Sequence, residues 1–189
     1  RIMCIFQDSR GYMWFGTSDG LNRYDGYGVE VFKYNPNDSN SISNNAIHCM
    51  DEDSKGNIWI GTNNGIDLFD LNTETFTHID EDFLSKEKVV VIHIDENDRA
   101  LIGCDELPIL VSYHLDESEF TVYDLPRDST KNSAFGVSTI VPHGDGNFVL
   151  GTSGAFIYTF SESENSQVDY ETFFAPSGEE ERPSLDIVR

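Results

Sequence analysis

Apolar and polar positions along this chain fall into short runs, each stopped by a small polar turn. Residues 2–7, 12–17, 21–25 and 29–34 form the first four runs. Residues 2–7 are a nearly continuous apolar stretch, as a buried inner strand would be, and 29–34 alternate as an outer strand would. Asp8-Ser9-Arg10-Gly11 and Ser18-Asp19-Gly20 read as turns: Asp accepts backbone N–H bonds at the turn start and Gly supplies positive φ. The same order returns at 46–52, 57–62, 66–70 and 75–79, with a turn at Asp70-Leu71-Asn72-Thr73-Glu74. It returns again at 89–95, 100–104, 109–115 and 120–123, and once more at 137–142, 147–152, 155–160 and 168–174. Pro108 stands just before a strand, where a missing N–H is tolerated. Helix content is expected to be small, with one turn near 82–87 the best candidate.

The runs belong to a repeat. Asp8-Ser9-Arg10-Gly11-Tyr12-Met13-Trp14-Phe15-Gly16-Thr17 recurs as Asp53-Ser54-Lys55-Gly56-Asn57-Ile58-Trp59-Ile60-Gly61-Thr62. Weaker copies follow around Gly103 and Gly151, and the glycines Gly16, Gly61, Gly103 and Gly151 are 45, 42 and 48 residues apart. A period of roughly 40–50 residues with four short strands per unit marks propeller blades. The expected fold is therefore all-β: a β-propeller section of four blades, each a four-stranded antiparallel sheet. The blades lie at about 1–35, 46–80, 89–124 and 136–174, with 185–189 beginning a fifth. A four-stranded sheet has two faces to bury and edges to protect, and radial stacking does both. Trp14 and Trp59 are placed to fill the seams between blades, and the repeat glycines to let backbones approach there. Four units are few for a closed ring, so the chain is expected to be part of a larger propeller of about seven blades. The apolar sets Ile2/Cys4/Phe6 and Phe156/Tyr158/Phe160 are expected near the two end faces. The sequence opens within a strand pattern at Arg1, which reads as a section of a longer protein.

Charge and cysteine content narrow the classes. The 34 acidic against 12 basic residues give a net charge of −22, which disfavours nucleic acid and anionic membranes as partners. Cys4 and Cys49 occupy equivalent repeat positions and Cys104 replaces the Thr of Gly-Thr, so the three cysteines read as small buried side chains rather than a disulfide framework.

The string from Gln7 to Gly26, with Asp19-Gly20-Leu21-Asn22-Arg23-Tyr24-Asp25-Gly26 after the Gly-Thr pair, resembles the two-component regulator propeller repeat. The resemblance is close over 2–80 and weaker over 89–174, where the Trp is missing from the third and fourth units. It implies the periplasmic sensor ectodomain of an inner-membrane hybrid two-component system, with a histidine kinase, receiver and DNA-binding domain that have no counterpart in 1–189. It further implies an oligosaccharide ligand and contacts with remaining blades and a membrane-proximal domain. A homodimer in the full-length protein follows from the same likeness, while the acidic charge disfavours nucleic-acid binding by this section. No cofactor and no enzymatic activity of this section are expected. The alternatives are a protein–protein scaffold propeller, or a propeller lyase or glycosidase.

Candidate chemistry is modest. Asp51-Glu52-Asp53-Ser54-Lys55-Gly56 begins like a calcium loop, but Lys55 and Thr62 stand where ligands are needed and the flanks are strands. His48, His78, His93, His114 and His143 show no metal-ligand spacing on one element. The pairs Asp51/Asp53 and Asp95/Asp98 could suggest a glycosidase acid and base, but in a chain this acidic such pairs are unavoidable. The expected ligand-binding set lies in the loops at one mouth of the propeller: Asp19, Asn22, Arg23, Asn44, Asn45, Asn63, Asn64 and Asp105, with Ser18, Glu106 and Ser153 beside them. Amides, carboxylates and a guanidinium suit hydroxyl-rich ligands, and the same residues are also good turn formers.

Overall fold

The structure is a computed structural model that describes residues 1–117, 119–125, 136–144, 146–153, 156–162, 168–169 and 172–174. The expected start of a fifth blade at 185–189 lies outside them. The first sheet is β1 (Ile2–Gln7), β2 (Met13–Thr17), β3 (Gly20–Tyr24) and β4 (Val29–Phe32). The second is β5 (Ile47–Glu52), β6 (Asn57–Thr62), β7 (Gly65–Asp70) and β8 (Thr75–Ile79). The third is β9 (Val89–Ile94), β10 (Arg99–Cys104), β11 (Ile109–His114) and β12 (Glu119–Asp124). The fourth is β13 (Val137–Pro142), β14 (Phe148–Thr152) and β15 (Phe156–Glu162), followed by two short strands, β16 (Val168–Asp169) and β17 (Thr172–Phe174).

Every pairing is antiparallel and, apart from β15 with β17, joins consecutive strands, and the sheets are blades of a β-propeller. In the fourth, the single outer strand expected over 168–174 is divided: β17 pairs the start of β15 and β16 pairs its end. The inner strands stack in order, β1 on β5, β5 on β9 and β9 on β13. The helical turn expected near 82–87 is one turn that does not propagate, closed by Ser85 N–H donating to Glu81 O at 2.7 Å.

Each blade is fastened by its first turn. Asp8 is buried; one carboxylate oxygen accepts Arg10 N–H and Tyr12 N–H, and the other accepts Trp14 Nε1–H at 2.8 Å. Asp53 repeats this with Lys55 N–H, Asn57 N–H and Trp59 Nε1–H at 3.0 Å. A buried carboxylate is tolerable because every oxygen is bonded. In the third blade Leu101 replaces the Trp, and the Arg99 guanidinium takes over the free oxygen of Asp95 at 2.9 Å. Gly11 and Gly56 close their turns at φ of 90° and 82°; Asp98 does the same at 55°, a left-handed position that Asp tolerates better than most residues.

The seams are the core. Trp14, Leu21, Ile47, Ile60 and Phe69 fill the first, Trp59, Ile66, Val89 and Ile102 the second, and Leu101, Tyr123, Val137, Phe148 and Phe160 the third. Trp14 meets Phe69 edge-on at a centroid distance of 5.3 Å. Of the residues expected at the end faces, Ile2 is exposed and the other described ones are not. Cys4 and Phe6 pack into the first seam, and Tyr158 and Phe160 into the third. The outward faces show Met3, Ile5, Val29 and Val31 at one end and Val141 and Ile157 at the other, all exposed. Side chains alternate along a strand, so an assignment one residue off names the opposite face. The side chain of Phe156 lies outside the description.

The three cysteines are free thiols in these seams. Burial pushes the Cys4 thiol up to about 11, the Cys104 thiol up to about 12, and the Cys49 thiol well above the ordinary range. The thiolate is the reactive form. Iodoacetamide at pH 8 is therefore expected to leave Cys49 and Cys104 unmodified in the folded chain and to alkylate all three in urea. Rapid native alkylation, read by mass spectrometry, would contradict the seam packing.

Candidate functional site

Up-and-down strand order sorts the connections into two ends. The Asp turns lie at one. The turns from β2 to β3, β6 to β7 and β10 to β11, and the connections that lead into β5, β9 and β13, share the other. They are stitched together there: Gly20 N–H donates to Asn45 O at 2.7 Å, Gly65 N–H to Glu87 O at 2.9 Å and Gly136 N–H to Asp105 O at 3.1 Å. The Thr of each Gly-Thr shapes its turn. Thr17 Oγ1 donates to Gly20 O and accepts Asp19 N–H; Thr62 Oγ1 does the same with Gly65 O and Asn64 N–H. Each inner strand has a bulge or register break near this end, between Ile2 and Cys4, Ile47 and Cys49, and Val137 and Thr139, with β9 irregular opposite Gly103/Cys104. Bulges re-aim side chains at rims, and here His48 turns its Nε2 to Asn63 Oδ1 at 2.7 Å.

The candidate residues divide. Asp19 pairs with Lys33 at 2.7 Å and Asp105 with Lys88 at 2.6 Å, both at this mouth. Asn44 and Asn45 use their carbonyl oxygens on Ala46 N–H and Tyr34 N–H, which fixes the connection into β5. Asn63 and Asn64 are exposed on the β6–β7 turn. Arg23 is not brought to the mouth, while Asn22 holds the repeat position of Asp67, two residues past the mouth turn, with Nδ2 3.5 Å from Gly20 O. Asn22 Nδ2 donates to Phe15 O at 3.3 Å, within its own blade. The Arg23 side chain reaches the other way, to Glu30 at 2.6 Å and Glu74 at 2.8 Å, with its guanidinium 5.2 to 5.9 Å from the ring centres of Tyr12, Trp14, Phe32 and Phe69. It ties the first seam across two blades.

Three residues outside the candidate set form the most organised polar group at the mouth. The Asp67 carboxylate is fully buried. One oxygen meets His78 Nδ1 at 2.5 Å; the other accepts Ser43 N–H at 2.8 Å and Ser43 Oγ–H at 2.9 Å. Burial pushes the Asp67 carboxyl up, and the bonds from His78 and Ser43 pull it back. His78 and Ser43 line a cleft of about 350 Å³ with Tyr34, Asn64, Ile66, Ile79, Asp80 and Ser85. Asn64 is the candidate residue that shares this cleft. The available signal was register: Asp67 and His78 lie directly opposite each other on β7 and β8, where apolar residues would be ordinary.

The carboxylate pairs suggestive of a glycosidase are engaged in holding blades together. Asp51 accepts Ile94 N–H at 2.8 Å from the next blade, and Asp98 accepts both Ser54 N–H and Ser54 Oγ–H from the previous one. Glu52 clasps Ser9 in the same way.

The sequence profile described as the two component regulator propeller matches residues 1–19 and 41–64, the first Gly-Thr unit and the mouth connection leading through the second. These two stretches carry the two-component regulator propeller repeat. Over 42 residues, 22% of the chain, it is 48% identical to histidine kinase P4 of Formosa agariphila and spans 3% of that protein. The extracellular domain assigned to the hybrid two-component system BT4673 of B. thetaiotaomicron superposes over 94% of this chain with a TM-score of 0.71 at 22% identity. That match takes in 22% of the ectodomain. The corresponding domain of BT3049 gives 0.61 at 20% identity, over 89% of this chain and 29% of that one. The chain thus spans under a third of these ectodomains. The blade architecture is shared more widely: a catalytically inactive virginiamycin B lyase from Staphylococcus aureus superposes with a TM-score of 0.70 at 13% identity, over 93% of this chain and 56% of the lyase.

Proposed function

We propose that this chain is a section of the ligand-sensing ectodomain of a hybrid two-component sensor, placed outside the inner membrane and signalling to a histidine kinase. The match of the two-component regulator propeller to residues 1–19 and 41–64 carries the reading. The exposed apolar end faces support a larger ring of about seven blades, with further blades of the same chain covering them. The ligand is a hydroxyl-rich oligosaccharide taken at the mouth, where amide, carboxylate and imidazole groups gather. Binding acts by favouring one of two arrangements of a receptor dimer, which requires different affinities for the two.

The test compares residues 1–189 with a version extended by about three blades, by sedimentation and by calorimetric titration with neutral oligosaccharides. The extended protein is expected to be monodisperse and to bind, while 1–189 self-associates through its end faces and binds at least tenfold more weakly. A monodisperse 1–189 with full affinity would remove the larger-ring reading. No binding by either protein would remove the oligosaccharide.

A further inference from the structure

We propose that His78, held by Asp67, is the ligand-contacting group of the cleft between the first two blades, and that it receives a hydroxyl of a neutral, ring-shaped polyhydroxyl ligand. This rests on the sensor reading above and assigns the contact within it.

The repeat supplies the first argument. The cross-strand pair at this register is Asn22 and Val31 in the first blade and Val111 and Val122 in the third. Val111 is fully buried, so the site can be filled by a hydrocarbon side chain with no loss of fold. In the second blade the same places hold Asp67 and His78. A carboxylate buried completely is costly, and blade packing does not call for one here.

Hydrogen bonding supplies the second. Ser43 N–H and Ser43 Oγ–H donate to one oxygen of Asp67, and His78 Nδ1 stands 2.5 Å from the other. With Asp67 ionised, its second oxygen accepts Nδ1–H, and the neutral imidazole then presents the lone pair of Nε2. Nε2 has no protein partner among the described residues, and the imidazole lines the cleft. A lone pair fixed in direction beside a cleft of about 350 Å³ accepts an O–H from a ligand.

The lining defines the ligand class. The half-exposed Tyr34 ring offers an apolar face against which a sugar ring lies flat, and Asn64, Asp80 and Ser85 provide further polar groups. The chain's charge of −22, with Asp80 in the wall, repels anionic ligands. A neutral polyol ring fits both conditions.

The test uses uniformly 15N-labelled protein in the extended form and a probe set of cello-, xylo-, malto- and laminari-hexaose beside oligogalacturonate. Long-range 1H–15N spectra report each nitrogen of His78. At least one neutral hexaose is expected to shift Nε2 of His78 while Nδ1 stays protonated, and oligogalacturonate to leave it unmoved. His78→Phe is expected to weaken that hexaose at least tenfold. Asp67→Asn is expected to weaken it and to change the tautomer seen in the spectra, which a purely structural role of Asp67 would not do; His78→Gln is expected to restore part of the affinity by offering an amide oxygen. Binding of a hexaose that leaves Nε2 unshifted and survives His78→Phe would overturn the assignment while leaving the sensor reading standing. Binding of none of the probes would overturn both, and a shift caused only by oligogalacturonate would overturn the neutral class.

Discussion

Replacing Trp14 or Trp59 by alanine is expected to lower the free energy of unfolding by roughly 3–5 kcal/mol, the usual range for emptying a large buried aromatic site. Both rings are almost completely buried, and each lies in a seam between two blades rather than inside one sheet. The cost has two sources. The first is the lost contact with Phe32 and Phe69 around Trp14, and with Tyr113 around Trp59. The second is the carboxylate left behind, since Asp8 Oδ2 loses Trp14 Nε1–H as its partner. At Asp53 the loss is smaller, because Asn57 Nδ2–H also donates to the same oxygen at 2.8 Å. Trp14→Phe separates the two sources: it keeps most of the ring and removes the donor, and about 1–3 kcal/mol is expected from the stranded carboxylate alone. Urea unfolding followed by circular dichroism measures both. A shift below about 1 kcal/mol for either alanine variant would mean that the ring is not packed in the seam.

The blade order was legible because two devices recur together. Asp followed three residues later by Gly closes the first turn, and Gly-Thr opens the second, so strand ends are marked on both sides. The seam position of Trp followed from its distance to the glycine. What did not follow is side-chain direction. Arg23 lies in a string rich in turn formers and was assigned to the mouth, but it stands three residues along β3 from that turn and alternation points it into the seam, among aromatic rings and two glutamates. The same one-residue ambiguity misassigned the end faces, where Ile5 and Val141 are exposed and Phe6 and Phe160 are buried or half-buried in seams. Asn44 and Asn45 have the chemistry of ligand-binding groups and of turn formers at once, and the structure shows them bonded to backbone. Asp67 and His78 were missed because eleven residues separate them and only the β7–β8 register brings them together.

The glycines give the second large expected effect. Gly16, Gly61 and Gly103 each face the inner strand of the next blade. A Cβ on Gly61 would stand 2.9 Å from Val89 Cγ1, and one on Gly103 would stand 2.5 Å from the backbone oxygen of Val137. Gly136 is tighter still, with the carbonyl groups of Cys104 and Asp105 inside any permitted distance. Backbone cannot swing aside as a side-chain tip can, so Gly103→Ala and Gly136→Ala must push the third and fourth blades apart. Each is expected to cost about 1–3 kcal/mol or more. Gly151 occupies the same repeat position in the fourth blade, yet among the described residues a Cβ there would meet only Thr139 of its own sheet, at 3.5 Å. Gly151→Ala is therefore expected to change the stability of residues 1–189 by less than about 0.5 kcal/mol, the range of a substitution that meets no neighbour. In a chain extended by further blades the same substitution should become as costly as Gly103→Ala, because a fifth inner strand would then lie where Val137 lies against Gly103. Equal unfolding midpoints for Gly151→Ala and its parent in the extended chain would show that no blade packs on that face.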